Sequence, residues 1–158
     1  MKQLLFIPVF LLFHVAPGQP VADQLTPLNE FRSLLEAPAT RIQVFNFWAT
    51  WCAPCVKELP MIDAFASANP DIEVILVNVE GTADPFNKVA DFARRKKLQT
   101  RIILLNTQDS GNWTTRIEKS WKNALPVTII RNGGNKKRIF RDRALSPGEL
   151  EELVAGVR

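Results

Sequence analysis

The chain has no tyrosine, one histidine and two cysteines among its 158 residues. The histidine is His14, inside an amino-terminal segment that reads as removable. A protein without that segment carries no imidazole. Histidine acid–base catalysis, Cys–His hydrolysis and imidazole metal ligation are then excluded. Two cysteines in one short motif do not make a disulfide-stapled scaffold. Methionine is equally scarce, with Met61 the only one besides the initiator. Nothing after the amino-terminal segment is apolar enough to span a membrane, and there is no repeat, low-complexity tract or linker. The formal net charge of +4 is mild and points to no particular partner. With 46% hydrophobic and 23% charged residues, the remainder reads as one globular domain.

The first residues follow a different logic. Lys2 supplies a positive start, and "LLFIPVFLLFHV", Leu4 to Val15, is an apolar stretch broken by Pro8. It is shorter than the ~20 residues that span a bilayer. Ala16-Pro17-Gly18 places small residues for cleavage after Gly18. Residues 1–18 are therefore expected to be a secretory signal peptide, and 19–158 the domain. Retention by an uncleaved segment is the rival. No cysteine lies near the cut, so a lipid anchor has no support.

The domain has a readable order. Thr26 and Pro27 suggest a helix cap and first helical position, with that helix running to about Ala37. "RIQVFNF", Arg41 to Phe47, suits a buried strand. The cysteine motif follows, and then a helix from about Pro54 to Ala68, with a kink expected at Pro60. Ile72 to Val79 is a second buried strand. Asp84-Pro85 caps a helix ending near Leu98, and Ile102 to Leu105 is a short strand. Asn112 is expected to start a helix holding Trp113, Ile117 and Trp121. Val127 to Ile130 and Lys137 to Arg141 form two strands around an Asn132–Asn135 turn. Ser146-Pro147-Gly148-Glu149 reads as a capping box opening the last helix. This order suggests an α/β domain with a mixed sheet.

"WATWCAPC", Trp48 to Cys55, lies between a buried strand and a helix. Cys52 falls at the helix start, where unpaired N–H groups and the positive end of the dipole favour a thiolate. Such placements lower a cysteine pKa from ~8.5 to roughly 3.5–7.5. Cys55 lies one turn inward, where it can attack a mixed disulfide on Cys52. The spacing gives one exposed nucleophile and one sheltered resolver. Other readings exist. Zinc needs four ligands, so two cysteines leave only a dimer-bridging site. Cu(I) could use both thiolates, with Met61 as the available methionine. A structural disulfide over so short a loop would add little stability. Motif, local structure and compartment agree best on a redox pair; the metal readings stay open at this point.

"FNFWATWCAPCVKELP", Phe45 to Pro60, resembles the active-site segment of the thioredoxin superfamily. More narrowly it is similar to the TlpA/ResA-like branch of extracytoplasmic thiol–disulfide oxidoreductases. Asn46 stands where thioredoxin itself usually has aspartate and the branch commonly has asparagine. Glu58, three places after Cys55, also matches the branch. "ALPVT", Ala124 to Thr128, resembles the loop in which the superfamily carries a cis-proline, here Pro126. The resemblance covers about Thr26 to the carboxyl end, but Asn106 to Ala124 departs from the general pattern. It implies a thioredoxin fold, with a mixed central β-sheet flanked by helices on both faces. It also implies a redox-active Cys52–Cys55 disulfide with no other cofactor and no metal.

By the resemblance, Glu58 becomes a proton acceptor for Cys55; spacing alone makes it a solvated helix carboxylate. Pro126 would turn the Leu125 backbone toward the cysteines to pair with an extended substrate. Trp51, Ala53 and Pro54 complete the expected docking surface. Trp48 is better explained as core, Asn46 as a satisfied core amide and Lys57 as a solvated residue. The basic run Lys136 to Arg143 is better explained as an edge-strand guard than as a nucleic-acid site. Ala93 to Lys97 suits a helix end. The expected function is an exported thiol–disulfide oxidoreductase, a reductase in preference to an oxidase. A Cu(I) metallochaperone or a disulfide oxidase of the same fold is the alternative. The expected setting is the bacterial periplasm. The expected partners are a disulfide-containing exported protein and a membrane electron donor. The protein is expected to be a monomer that does not bind nucleic acid. Cytochrome c maturation is one pathway that the resemblance allows.

Overall fold

The computed structural model describes residues 21–80, 85–108 and 111–158. The expected signal peptide and the Asp84 cap lie outside the described residues. The elements run β1 (Val21–Thr26), α1 (Leu28–Glu36), β2 (Ile42–Trp48), α2 (Ala53–Ala68), β3 (Glu73–Asn78), α3 (Pro85–Lys96), β4 (Ile102–Leu105), α4 (Trp113–Ile117), β5 (Val127–Asn132), β6 (Arg138–Arg141) and α5 (Glu149–Val157). Six strands form one sheet in the order β1-β4-β3-β2-β5-β6. The first four in that order are parallel; β5 lies antiparallel to β2, and β6 antiparallel to β5.

β2 is the centre of the sheet, buried along Gln43–Trp48. A strand covered on both faces needs apolar side chains at successive positions, which is why it reads as a run and not as an alternation. Its alternate residues meet different helices. Phe45 and Phe47 pack edge-on against Phe31 of α1. Trp48, on the other face, packs with tilted rings against Phe92 of α3, and Asn46 reaches Glu58 of α2. Helices thus cover both faces of a mixed sheet.

Local signals set several ends differently from the sequence expectation. Thr26 is no cap: it ends β1, paired with Leu105, and its carbonyl accepts from Asn106 N–H at 2.9 Å. Pro27 has a non-helical ψ of 147° and is itself the N-cap. β1 is an unexpected strand, held by its edge pairing with β4. α2 runs from Ala53 to Ala68 with Pro60 inside it. α4 stops at Ile117, so Trp121 lies beyond it, although Trp121 is still buried. Only half of the expected capping box forms. Glu149 reaches back to Ser146 N–H at 3.0 Å, but Gly148, at φ 82°, is the residue that caps α5.

The β5–β6 turn packs closely on the loop before β2. A Cβ on Gly133 would lie 2.5 Å from the Ala39 carbonyl oxygen, so no side chain fits there. β6 is an edge strand, and the arginines on it and just after it pair with acids of neighbouring segments. Arg138 reaches Glu118 and the Ile117 carbonyl, while Arg141 and Arg143 reach Glu149. Among the described residues no helix is long and apolar enough to cross a membrane.

Candidate active site

The site forms where β2 ends and β5 begins. Because these strands are antiparallel, with Phe47 opposite Val127, the turn after Trp48 and the residue before Val127 share one end of the sheet. The first carries the cysteines, the second carries Pro126. The Leu125–Pro126 peptide is cis. Pro126 is buried, Leu125 half-buried and Ala124 exposed. Trp121 steadies this approach: its indole N–H donates to the Ala124 carbonyl at 2.8 Å.

Cys52 is the N-cap of α2 and Cys55 lies in its first turn. The two are joined in a disulfide. The Cys52 sulfur accepts from Cys55 N–H at 3.4 Å, so it serves one of the donors that a helix start leaves unpaired. Pro54 needs no such acceptor. In this oxidised state Cys52 is 5% exposed and Cys55 fully buried. The expected contrast between an exposed and a sheltered cysteine is thus small here: both are buried. Around it Trp51 stands 65% exposed, with Ala53 and Pro54 also in solvent.

Glu58 is not a solvated helix residue: it is 5% exposed. It accepts from Asn46 Nδ2 and from Leu145 N–H, each at 2.8 Å. Burial pushes its carboxyl above the ordinary 4.5, against those two hydrogen bonds and with help from the negative charge of Glu149. Asn46 also donates to Thr128 Oγ1 at 3.1 Å, while its Oδ1 is buried without a partner. A groove of about 540 Å³ opens beside Glu58, walled by Pro54, Lys57, Met61 and Ala144–Pro147. Lys57 is exposed and Trp48 is core, as their residue types suggested.

Met61 does not converge with the thiols. Six residues along a helix place it roughly 9 Å from Cys55 in height and about 120° away around the axis. It lines the Glu58 groove instead. Among the described residues no group of three or more histidine, cysteine or acidic side chains could hold a metal ion.

A second buried carboxylate escaped the sequence reading. Glu80, just past β3, accepts from Thr50 N–H and Thr50 Oγ1, each at 2.8 Å, and from the ammonium of Lys88 on α3. Burial alone would raise its carboxyl, but Lys88 and both Thr50 donors hold it below 4.5. Its trace in the sequence was an acid just past β3, at the end of the sheet where the cysteine motif starts.

The comparisons agree with this geometry. The thioredoxin family profile matches residues 23–120. Sporulation thiol-disulfide oxidoreductase A of Bacillus subtilis is 35% identical over 116 residues, which is 65% of this chain and 70% of that protein. Thiol-disulfide oxidoreductase ResA of Geobacillus thermodenitrificans is 33% identical over 98 residues, 60% of this chain and 51% of that one, so only about half of its length is spanned. Crystal structures share the fold. StoA of Bacillus subtilis gives a TM-score of 0.58 at 24% identity, over 73% of this chain and 84% of its own. A secreted disulfide oxidoreductase of Mycobacterium tuberculosis gives 0.59 at 21%, over 76% and 84%. The chain belongs to the thioredoxin family of thiol–disulfide oxidoreductases, with Cys52–Cys55 as its disulfide.

Proposed function

We propose that the protein is an exported reductase of protein disulfides. Cys52 at the N-cap of α2 with Cys55 sealed one turn behind it carries the exchange chemistry of this reading, and the reductase direction rests on the resemblance to the TlpA/ResA-like branch. In the reduced protein, the Cys52 thiolate attacks one sulfur of a substrate disulfide. A mixed disulfide forms, and the first substrate thiolate leaves. Glu58 takes the Cys55 proton, and Cys55 attacks the Cys52 sulfur. The second substrate thiolate departs and takes up a proton. The substrate has gained two electrons, and the enzyme is left as the Cys52–Cys55 disulfide. A membrane electron donor restores the dithiol.

Docking falls to Trp51, Ala53 and Pro54 around the sulfur and to the Leu125 backbone before Pro126. Glu58 suits a base because its raised carboxyl lies nearer to neutral pH than an ordinary one. Export rests on the positive start, the apolar stretch and the small residues before the cut after Gly18. The reduction potential of the pair tests the direction. A value near the −270 mV of a thioredoxin supports the reductase; one near −120 mV makes the protein an oxidant and overturns it.

A further inference from the structure

The turn between β2 and Cys52 is pinned at Trp48, Ala49 and Thr50. Trp48 O accepts from Val79 N–H at 3.0 Å, and Ala49 O accepts from Cys52 N–H at 3.1 Å. Between them, both Thr50 donors go to Glu80. The side chain of Glu80 is fully covered, whereas that of Lys88 is 49% exposed. An acid is thus buried under the active-site turn, and its counter-ion comes from another element. The Thr50 N–H and the Ala49 carbonyl share one peptide, and that carbonyl accepts from Cys52 N–H, so the carboxylate lies within roughly 12 Å of the Cys52 sulfur. An unneutralised charge at that range opposes a thiolate.

We infer that Glu80 is a positioning residue for the redox pair: it clamps Thr50 so that Trp51 stands out beside Cys52, and Lys88 neutralises it so that the clamp does not oppose the Cys52 thiolate. The inference rests on the proposed role of Cys52 as attacking thiol. Either half of the clamp alone would serve poorly. A neutral acceptor would bind Thr50 more weakly than a carboxylate does. A lone carboxylate would hold the turn but make the thiolate harder to form. The other ionisable side chains on the two helices concerned are Lys57, Glu58 and Asp63 of α2 and Asp91, Arg94, Arg95 and Lys96 of α3. All of them stay unchanged in the variants below.

The test uses reduced full-length domain and iodoacetamide across pH, with the labelled cysteine identified. Lys88→Met should move the Cys52 labelling midpoint upward by about half a pH unit. Adding Glu80→Gln should bring it back, because the pair is then neutral again. Lys88→Gln serves as a second variant if Lys88→Met folds poorly. A profile that superimposes on the wild type, or a double variant that fails to restore it, overturns the inference. The clamp has a readout independent of the thiols. Glu80→Ala should speed hydrogen exchange at the Thr50 amide about tenfold or more, and an unchanged rate overturns the clamp. Labelling of Cys55 before Cys52 in the wild type would instead sink the proposed function, leaving the Thr50 exchange to judge Glu80.

Discussion

Two buried carboxylates flank the cysteine helix, and they go in opposite directions. Glu58 lies on the β5 side, with amide donors and no cation, and its carboxyl rises. Glu80 lies on the α3 side, with two Thr50 donors and an ammonium, and its carboxyl falls. Burial is common to both and so does not decide between them. The partner does: neutral donors leave an acid able to take a proton, whereas a cation fixes it as an anion. One region can therefore take part in proton transfer, while the other can only hold its shape.

The largest effect is expected between the two regions, at the pair itself. Cys55→Ser should lose turnover and accumulate mixed disulfides on Cys52, whereas Cys52→Ser should trap none. Non-reducing gels with a disulfide substrate check this, and trapping through Cys55 would reverse the assignment.

Glu58→Gln breaks the proton-transfer side. Release of the mixed disulfide should slow about 10²-fold, at the low end for a lost general base. The fold should survive, because the unpaired Asn46 Oδ1 can accept from the new amide. The same variant carries a pH signature. A raised carboxyl keeps a proton that the unfolded chain has released. Wild-type stability therefore falls as pH climbs from 4.5 through the raised value, and the variant should lack this slope. Stopped-flow release and urea melts across pH measure the two parts. Wild-type release rates would return Glu58 to a structural role.

Glu80→Ala breaks the scaffold side. Two Thr50 donors lose their acceptor, at an expected cost of about 2 kcal/mol. The half-exposed Lys88 turns to water and adds little. A urea midpoint equal to wild type would contradict the clamp.

The smallest effect sharpens the contrast through Glu149. Its carboxyl is held at about 2, first by the Arg143 side chain and then by Ser146 N–H, with the Arg141 charge assisting. A depressed acid stabilises the fold above the ordinary 4.5, and that contribution is lost as pH falls toward about 2. Arg143→Ala should therefore be most different from wild type at neutral pH and converge with it in acid. Parallel acid titrations of the two proteins would count against this pair.

The sequence was clearest where short-range chemistry dominates. The cysteine motif, the buried runs of β2 and β3 and the cationic end of α3 all carry their own signals. Glu58 was half legible: its role came from the family resemblance, while its burial depends on Leu145, 87 residues away. Glu80 left only the trace of an acid past β3, since its partners Thr50 and Lys88 converge only after β2 and β3 pair. β1 was missed because an edge strand owes its existence to its neighbour β4. The Ser146 box was read two residues early, because a glycine at positive φ takes the cap instead.

The Cys52 sulfur closes the first turn of α2. Reducing the disulfide frees that capping atom as a thiol, and any ionised form it takes is favoured by the positive end of the helix, which stabilises the reduced fold. Around a thermodynamic cycle, the gap in unfolding free energy between reduced and oxidised protein equals the shift in potential caused by folding. A pair of urea curves, one with and one without reductant, would therefore report how far the fold moves the disulfide toward oxidant or reductant, with no substrate present.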